Sequence, residues 1–126
     1  MTIVVTAAVI ERDGAFLVTR RPRGVHLEGC WEFPGGKRQP DETLPASLVR
    51  EILEELGTRV RVGQEIFAIT HAYPDRQIEL HFFSCELEGT PIPQLGQEMR
   101  WVARGDLASL TFPPTDLELI TRLTQS

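Results

Sequence analysis

No apolar run in this 126-residue chain approaches the roughly 20 residues needed to span a membrane. The opening stretch, MTIVVTAAVIERDG, also lacks the basic n-region and small-residue cleavage site of a signal peptide, so the chain is expected to stay in the cytoplasm. Cysteine is scarce: Cys30 and Cys85 stand far apart, with no CxxC and no Cys/His cluster. That excludes a disulfide framework and a structural zinc site, and leaves two buried, reduced thiols. Internal repeats, low-complexity tracts and linker-like stretches are missing too. With 41% hydrophobic and 25% charged residues, the chain has the balance of one soluble globular domain over residues 1–126, large enough for a real core.

An excess of positive charge is also lacking. The net charge of −5 argues against wrapping a nucleic-acid polymer. The distribution is uneven, however, with six basic and four acidic residues through Pro40, then seven basic and fourteen acidic from Asp41 onward. Basic residues gathered early and an acidic stretch after them could together hold a small anion through a bridging metal.

Ile3 to Ile10 is a nearly continuous apolar, β-branched run that suits a strand buried on both faces. Asp13-Gly14 and then Phe16-Leu17-Val18-Thr19 make it the first arm of a hairpin. Arg20 to Asp41, rich in Arg, Gly and Pro, has neither helical nor long strand periodicity and reads as a functional loop. Thr43 as cap, Pro45 in the first turn and Gly57 as stop predict a helix ending at Leu56. A second hairpin joins Arg59–Thr70 to Gln77–Leu87 through Tyr73-Pro74-Asp75-Arg76. Glu88 to Gln97 reads as loop, Met99–Ala103 as a short strand, Asp106–Leu110 as one helical turn and Thr115–Leu123 as a closing helix. Strands interspersed with one central and one terminal helix imply an α/β sandwich with a mixed sheet.

The central helix carries the chemistry. Its end, REILEELG, places Glu51, Glu54 and Glu55 on one side, opposite Val49, Ile52, Leu53 and Leu56. Like charges spaced i, i+4 cost roughly 0.2–0.5 kcal/mol unless something neutralises them, and the natural neutraliser is a cation. Pro34-Gly35-Gly36-Lys37, just upstream, supplies backbone that can approach a ligand closely. Hard oxygen ligands such as these carboxylates suit Mg²⁺. Arg21, whose fork matches phosphate oxygens, and Lys37, a point charge, are candidates for phosphate contact. His26, His71 and His81 have no metal-ligand spacing among themselves.

Gly36, Glu42, Arg50, Glu51, Glu54, Glu55 and Gly57 fall at the spacing G-x5-E-x7-R-E-U-x-E-E-x-G, which resembles a Nudix box. The one departure is Thr58, where the family usually has an aliphatic residue, and it touches packing rather than chemistry. Arg20-Arg21, Trp31 to Lys37, Tyr73 to Arg76 and Phe112-Pro113-Pro114 also resemble segments of the family's MutT-like branch, across almost the whole chain.

The resemblance implies an α/β/α sandwich with a mixed sheet. It also implies hydrolysis of a nucleoside triphosphate to monophosphate and pyrophosphate, with Mg²⁺ as cofactor and Mn²⁺ as the alternative. The implied metal ligands are Glu51, Glu54, Glu55, the Gly35 carbonyl and Glu98, the last also a candidate for proton acceptor. Arg50 pairs with the box carboxylates and fixes their rotamers, with Glu42 in a similar role. His26 lies in the substrate loop of similar proteins, and Phe33, Arg76 and Asp116 fall in the base pocket of the branch. The oxidised-guanine enzyme has asparagine where this chain has Asp116. Asparagine donates and accepts, whereas an ionised aspartate only accepts and favours a cytosine amino group or the N–H groups of guanine, unless burial keeps it protonated. Oxidised dGTP is the first expectation for substrate, as a nucleotide-pool sanitiser, and cytidine triphosphates the second. A nucleoside-diphosphate-sugar or dinucleotide hydrolase shares the box. A non-catalytic recognition module fits less well, because such modules generally lose box carboxylates. Neither a membrane nor a nucleic-acid polymer is an expected partner, and monomer and homodimer both stay open.

Overall fold

The computed structural model describes residues 1–125. Its first strand, β1 (Thr2–Arg12), turns through Asp13 and Gly14 into β2 (Ala15–Arg20). Both turn residues have positive φ, 53° and 79°, as the commonest two-residue hairpin loop requires, and Gly14 meets that demand without steric cost. The chain then forms β3 (Trp31–Glu32), β4 (Gly35–Lys37), helix α1 (Leu44–Leu56), the long hairpin β5 (Val60–Tyr73) and β6 (Arg76–Leu87), and β7 (Met99–Ala103). A 3₁₀ segment over Arg104–Ser109 and a 3₁₀ turn over Pro114–Asp116 lead into α2 (Leu117–Thr124).

The strands form one seven-stranded mixed sheet. β1 runs parallel to β6 from Thr2–Gln77 to Ile10–Cys85, and on its other edge lies antiparallel to β4, with Thr6 opposite Gly36 and Ala7 opposite Gly35. β2 pairs antiparallel with β3 and β7, and meets β1 only beside the hairpin turn. Side chains alternate across this sheet, so β1 feeds two cores. Ala8 and Ile10, with Leu17 and Phe83, meet Leu48, Ile52 and Leu56 of α1 on one face. Ala7 and Val9, with Phe16, Val18, Trp31, Phe33 and Phe82, meet Leu119 and Ile120 of α2 on the other. The result is the expected α/β/α sandwich. Each apolar α1 side chain buried this way is favoured by roughly 1.5–3 kcal/mol over an exposed one.

Helix α1 begins where the sequence predicts. The Thr43 side chain accepts a bond from the Ala46 amide, and Pro45 stands in the first turn. Gly57 ends the helix in the left-handed region, its N–H bonded to the Leu53 carbonyl. The buried face differs in one member: Leu48 is fully buried, while Leu53 is 46% exposed. A wheel places Leu53 beside Ile52, but the side chains that enter the core are those of Leu48, Ile52 and Leu56, spaced four apart along one stripe.

Two more expectations are corrected. The stretch from Arg20 to Asp41 is not entirely loop, since β3 and β4 pair with β2 and β1. The first arm of the second hairpin runs to Tyr73 rather than Thr70, because β6 gives it partners down to the Tyr73–Arg76 pair. Cys30 and Cys85 are free and buried.

Candidate active site

Strand β4 brings bare backbone against the polar side of α1. A Cβ on Gly35 would run into the Thr6 carbonyl and Ala7 of β1, and a Cβ on Gly36 would run into the Glu51 carboxylate. Only glycine lets the strand and the helix carboxylate lie this close. Arg50 then organises the helix face. Its Nε and Nη2 donate to the two oxygens of Glu42 at 2.7 and 3.0 Å, and Nη2 also to the Lys37 carbonyl at 3.0 Å. Its Nη1 donates to Glu51 at 2.9 Å and to Glu54 at 3.3 Å. Glu42 further accepts from the Gln39 amide at 2.8 Å, so the loop before the helix is tied into the same network.

Among the described residues Glu55 has no such cation. Burial, then the neighbouring charges of Glu51, Glu32 and Glu54, push its carboxyl up to about 9. A buried carboxyl crowded by three others is short of positive charge, and this set of hard oxygen donors beside a glycine carbonyl suits a divalent cation. Among the described residues no three acidic, histidine or cysteine side chains converge on one ion position as they stand, since Glu51 and Glu54 turn toward Arg50.

A cavity of about 420 Å³ opens beside β4, and it gathers all six side chains expected to touch substrate: Arg21, His26, Phe33, Lys37, Arg76 and Asp116. Gly35 and Gly36 form part of the same wall. His26 packs edge-on against Tyr73 with centroids 5.9 Å apart, and the Arg76 guanidinium lies 5.3 Å over that ring. Arg76 Nε is buried and has no hydrogen-bond partner among the described residues, which makes it a donor available to a ligand. Phe33 is 3% exposed and packs on Phe82 and Phe112, so its ring is core as much as cavity wall.

Asp116 is only 4% exposed and accepts from the Thr115 hydroxyl at 2.9 Å. Burial, helped by Glu32 and opposed by Thr115 and Arg21, pushes its carboxyl up to about 7. It makes no side-chain capping bond to α2, so capping does not account for its position.

The sequence reading passed over Glu32. This carboxylate lines the cavity, accepts from Arg21 Nη1 at 2.7 Å, and is close enough to raise the carboxyls of both Glu55 and Asp116. Its own carboxyl is raised by burial despite Arg21. Period-two alternation was the available signal: Trp31 and Phe33 point into the core, so Glu32 between them must face the other way. Glu98 stands apart from the main cavity. It is half exposed, paired with Arg20 and Arg100 at 3.3 Å each, and borders a second cavity.

Comparison with known proteins agrees with this geometry. A NUDIX domain family model matches residues 5–122, and the chain belongs to the Nudix family. Within it the chain is a MutT-like hydrolase. It is 36% identical over 119 residues to the CTP pyrophosphohydrolase of Escherichia coli K12, covering 94% of this chain and 88% of that protein. It is also 36% identical over 124 residues to the 8-oxo-dGTP diphosphatase of Haemophilus influenzae, covering 96% and 90%. Among solved structures, the E. coli ORF135 protein superposes with a TM-score of 0.85 at 36% identity, over 95% of this chain and 86% of that one. A MutT Nudix hydrolase from Burkholderia pseudomallei gives 0.83 at 27%, over 94% and 96%. Nudix hydrolases generally use a divalent metal.

Proposed function

We propose that this enzyme is a Mg²⁺-dependent nucleoside triphosphate pyrophosphohydrolase whose first substrate is oxidised dGTP. The observation that carries the reading is a cavity of about 420 Å³ running from the buried Asp116 carboxyl to the backbone of Gly35 and Gly36, the latter lying against the Glu51 carboxylate of α1. Glu51, Glu54, Glu55 and the Gly35 carbonyl would hold the cation, with Mn²⁺ as a substitute. The chemistry such a cation supplies is neutralisation of phosphate charge and activation of water. Arg50 holds Glu51 and Glu54 in place, and Arg21 and Lys37 bind phosphate oxygens. Water attacks the β-phosphorus, and the bond from that phosphorus to the bridging oxygen of the α-phosphate breaks. The bridging oxygen leaves with the nucleoside monophosphate, the water oxygen stays in pyrophosphate, and the carboxylate cluster takes the proton.

Asp116 supports the choice of base. A neutral carboxyl presents O–H beside C=O, the pairing an asparagine amide would offer to an oxidised purine edge. An ionised Asp116 accepts only, which favours the amino group of cytosine and supports a second reading, cytidine triphosphates, alongside the 36% identity to a CTP pyrophosphohydrolase.

A panel of oxidised dGTP, dGTP, CTP, methylated dCTP, a nucleoside-diphosphate sugar and a dinucleoside polyphosphate, assayed with Mg²⁺, separates these readings by kcat/KM. The expected order puts oxidised dGTP first and the triphosphates above the diphosphate-linked compounds. Hydrolysis in ¹⁸O-labelled water should leave the label in pyrophosphate. Glu54→Gln should lose at least about 100-fold in kcat. A sugar nucleotide at the head of the panel, or label in the monophosphate, would overturn the reading.

A further inference from the structure

Helix α1 carries its carboxylates at the end its own dipole disfavours. Glu54 and Glu55 stand in the last turn, where carbonyls without intrahelical partners present partial negative charge, and no basic side chain in that turn offsets them. The offsetting donors come from the loop that precedes β7. The Ile92 amide donates to the Leu56 carbonyl at 2.8 Å and the Gln94 amide to the Glu55 carbonyl at 2.9 Å. A second bond to the Glu55 carbonyl comes from Gln97 Nε2 at 3.0 Å. Among the described residues, no other side chain donates to a carbonyl of α1.

Both ends of the Gln97 amide are used. While Nε2 holds Glu55, Oε1 accepts from the Leu95 amide at 2.9 Å, so the side chain is seated between helix backbone and loop backbone. The next residue, Glu98, gives its carbonyl to the Arg20 amide at 3.0 Å, which anchors it where β7 starts to pair with β2. Gln97 therefore ties the last turn of α1 to a point one residue from Glu98. Gln94 offers a contrast, because among the described residues its side chain bonds only the Ile92 carbonyl, at 2.8 Å, and stays within the loop.

We propose that Gln97 is a positioning residue for the metal site, fixing the Glu54 and Glu55 end of α1 relative to the strand end that carries Glu98. The proposal rests on the metal-dependent reading above and deepens it. Carboxylates from separate elements bind an ion well only when their backbones are held in place before it arrives, and a tie between those elements supplies that order. The Glu98 carboxylate itself is paired with Arg20 and Arg100, so what Gln97 fixes is backbone.

The test is Mn²⁺ binding to the metal-free protein without nucleotide, measured by electron paramagnetic resonance, for wild type, Gln97→Met and Gln94→Met. Methionine keeps the length of glutamine and removes both amide bonds. Gln97→Met should bind Mn²⁺ about 10-fold more weakly, whereas Gln94→Met, which loses only a bond inside the loop, should bind like wild type. Thermal unfolding of the same metal-free proteins is the second measurement. A fall of no more than a few degrees in Tm, the effect of one or two partly exposed hydrogen bonds, shows that the weaker binding is not unfolding. If Gln97→Met melts far lower, Gln97→Asn, which shortens the donor by one methylene, is judged by the same criteria. A Gln97 variant that is destabilised yet binds Mn²⁺ like wild type, or equal weakening by Gln94→Met, overturns the positioning role and leaves Gln97 a helix cap. A wild type that binds no Mn²⁺ overturns the metal reading and the proposal with it, a result distinct from either of those.

Discussion

Asp116 is a buried carboxyl on the cavity wall, and under the proposed function its proton would decide which base the pocket accepts. Its carboxyl, with an ordinary value of 3.8, is raised to about 7, mainly by burial. Glu32 opposes its ionisation, while Arg21 and the Thr115 hydroxyl favour it. Below pH 7 the group is therefore mostly neutral and can donate; above pH 7 it is mostly ionised and can only accept. The ratio of kcat/KM for oxidised dGTP over that for CTP should accordingly be highest below pH 7 and fall as pH rises through 7. Asp116→Asn, which has no proton to lose there, should give a flat ratio over the same range. Stability supplies an independent check. The folded state binds a proton that the unfolded state has released, so stability should decline between about pH 4 and pH 7 and this component should level off above 7. Asp116→Asn removes it. A wild-type selectivity ratio that does not move between pH 6 and pH 8 would show that the base is read by some other group.

At the scale of elements, the short strand β4 and helix α1 depend on each other through two adjacent glycines with different neighbours. On Gly35 an added Cβ meets backbone of β1, which cannot move without breaking the β1–β4 pairing. On Gly36 it meets only the far end of the Glu51 side chain. Gly35→Ala should therefore lower stability by about 1–3 kcal/mol in denaturant unfolding. Gly36→Ala should unfold nearly as wild type yet require roughly 10-fold more Mg²⁺ for half-maximal activity, because it displaces a carboxylate that would hold the ion. Equal destabilisation with unchanged Mg²⁺ demand would remove Glu51 from the metal site. The sequence made α1 legible because Thr43, Pro45 and Gly57 act locally on its ends. It did not make β3 and β4 legible, since runs of two and three residues carry no periodicity and exist only because distant strands offer them partners. Leu53 differs for a related reason: a wheel gives direction from the helix axis, whereas burial depends on the partners that tertiary packing supplies, here to Leu48, Ile52 and Leu56.

Across the whole molecule, the alternation of Ala7, Ala8, Val9 and Ile10 between two cores makes the sandwich legible before any pairing is known. The convergence of residues from Arg21 to Asp116 on one cavity is set instead by the parallel β1–β6 pairing and the return of α2, neither of which leaves a local trace. The box residues were recognisable by spacing because they share one helix and its entry. Glu32 was not, because its neighbours Glu55 and Asp116 lie far along the chain.

This architecture has a cost that can be measured on the entire fold. Glu51, Glu54, Glu55 and Glu32 crowd one region, and Glu55, with no cation partner among the described residues, has its carboxyl raised to about 9, so in the metal-free protein at neutral pH it keeps a proton that the unfolded chain has released, which costs stability. An ion that binds only the folded state stabilises it by mass action, about 2.7 kcal/mol at 100 times its dissociation constant, or a rise of several degrees in Tm for a domain of this size. Wild type should show that rise as Mg²⁺ is titrated. Glu55→Gln should begin with a higher Tm than metal-free wild type, having lost the buried carboxyl, and should gain little from Mg²⁺. The two melting curves are thus expected to converge or cross as the metal concentration increases. A Glu55→Gln protein that starts below wild type and responds fully to Mg²⁺ would place the metal elsewhere on the helix and make Glu55 a structural residue.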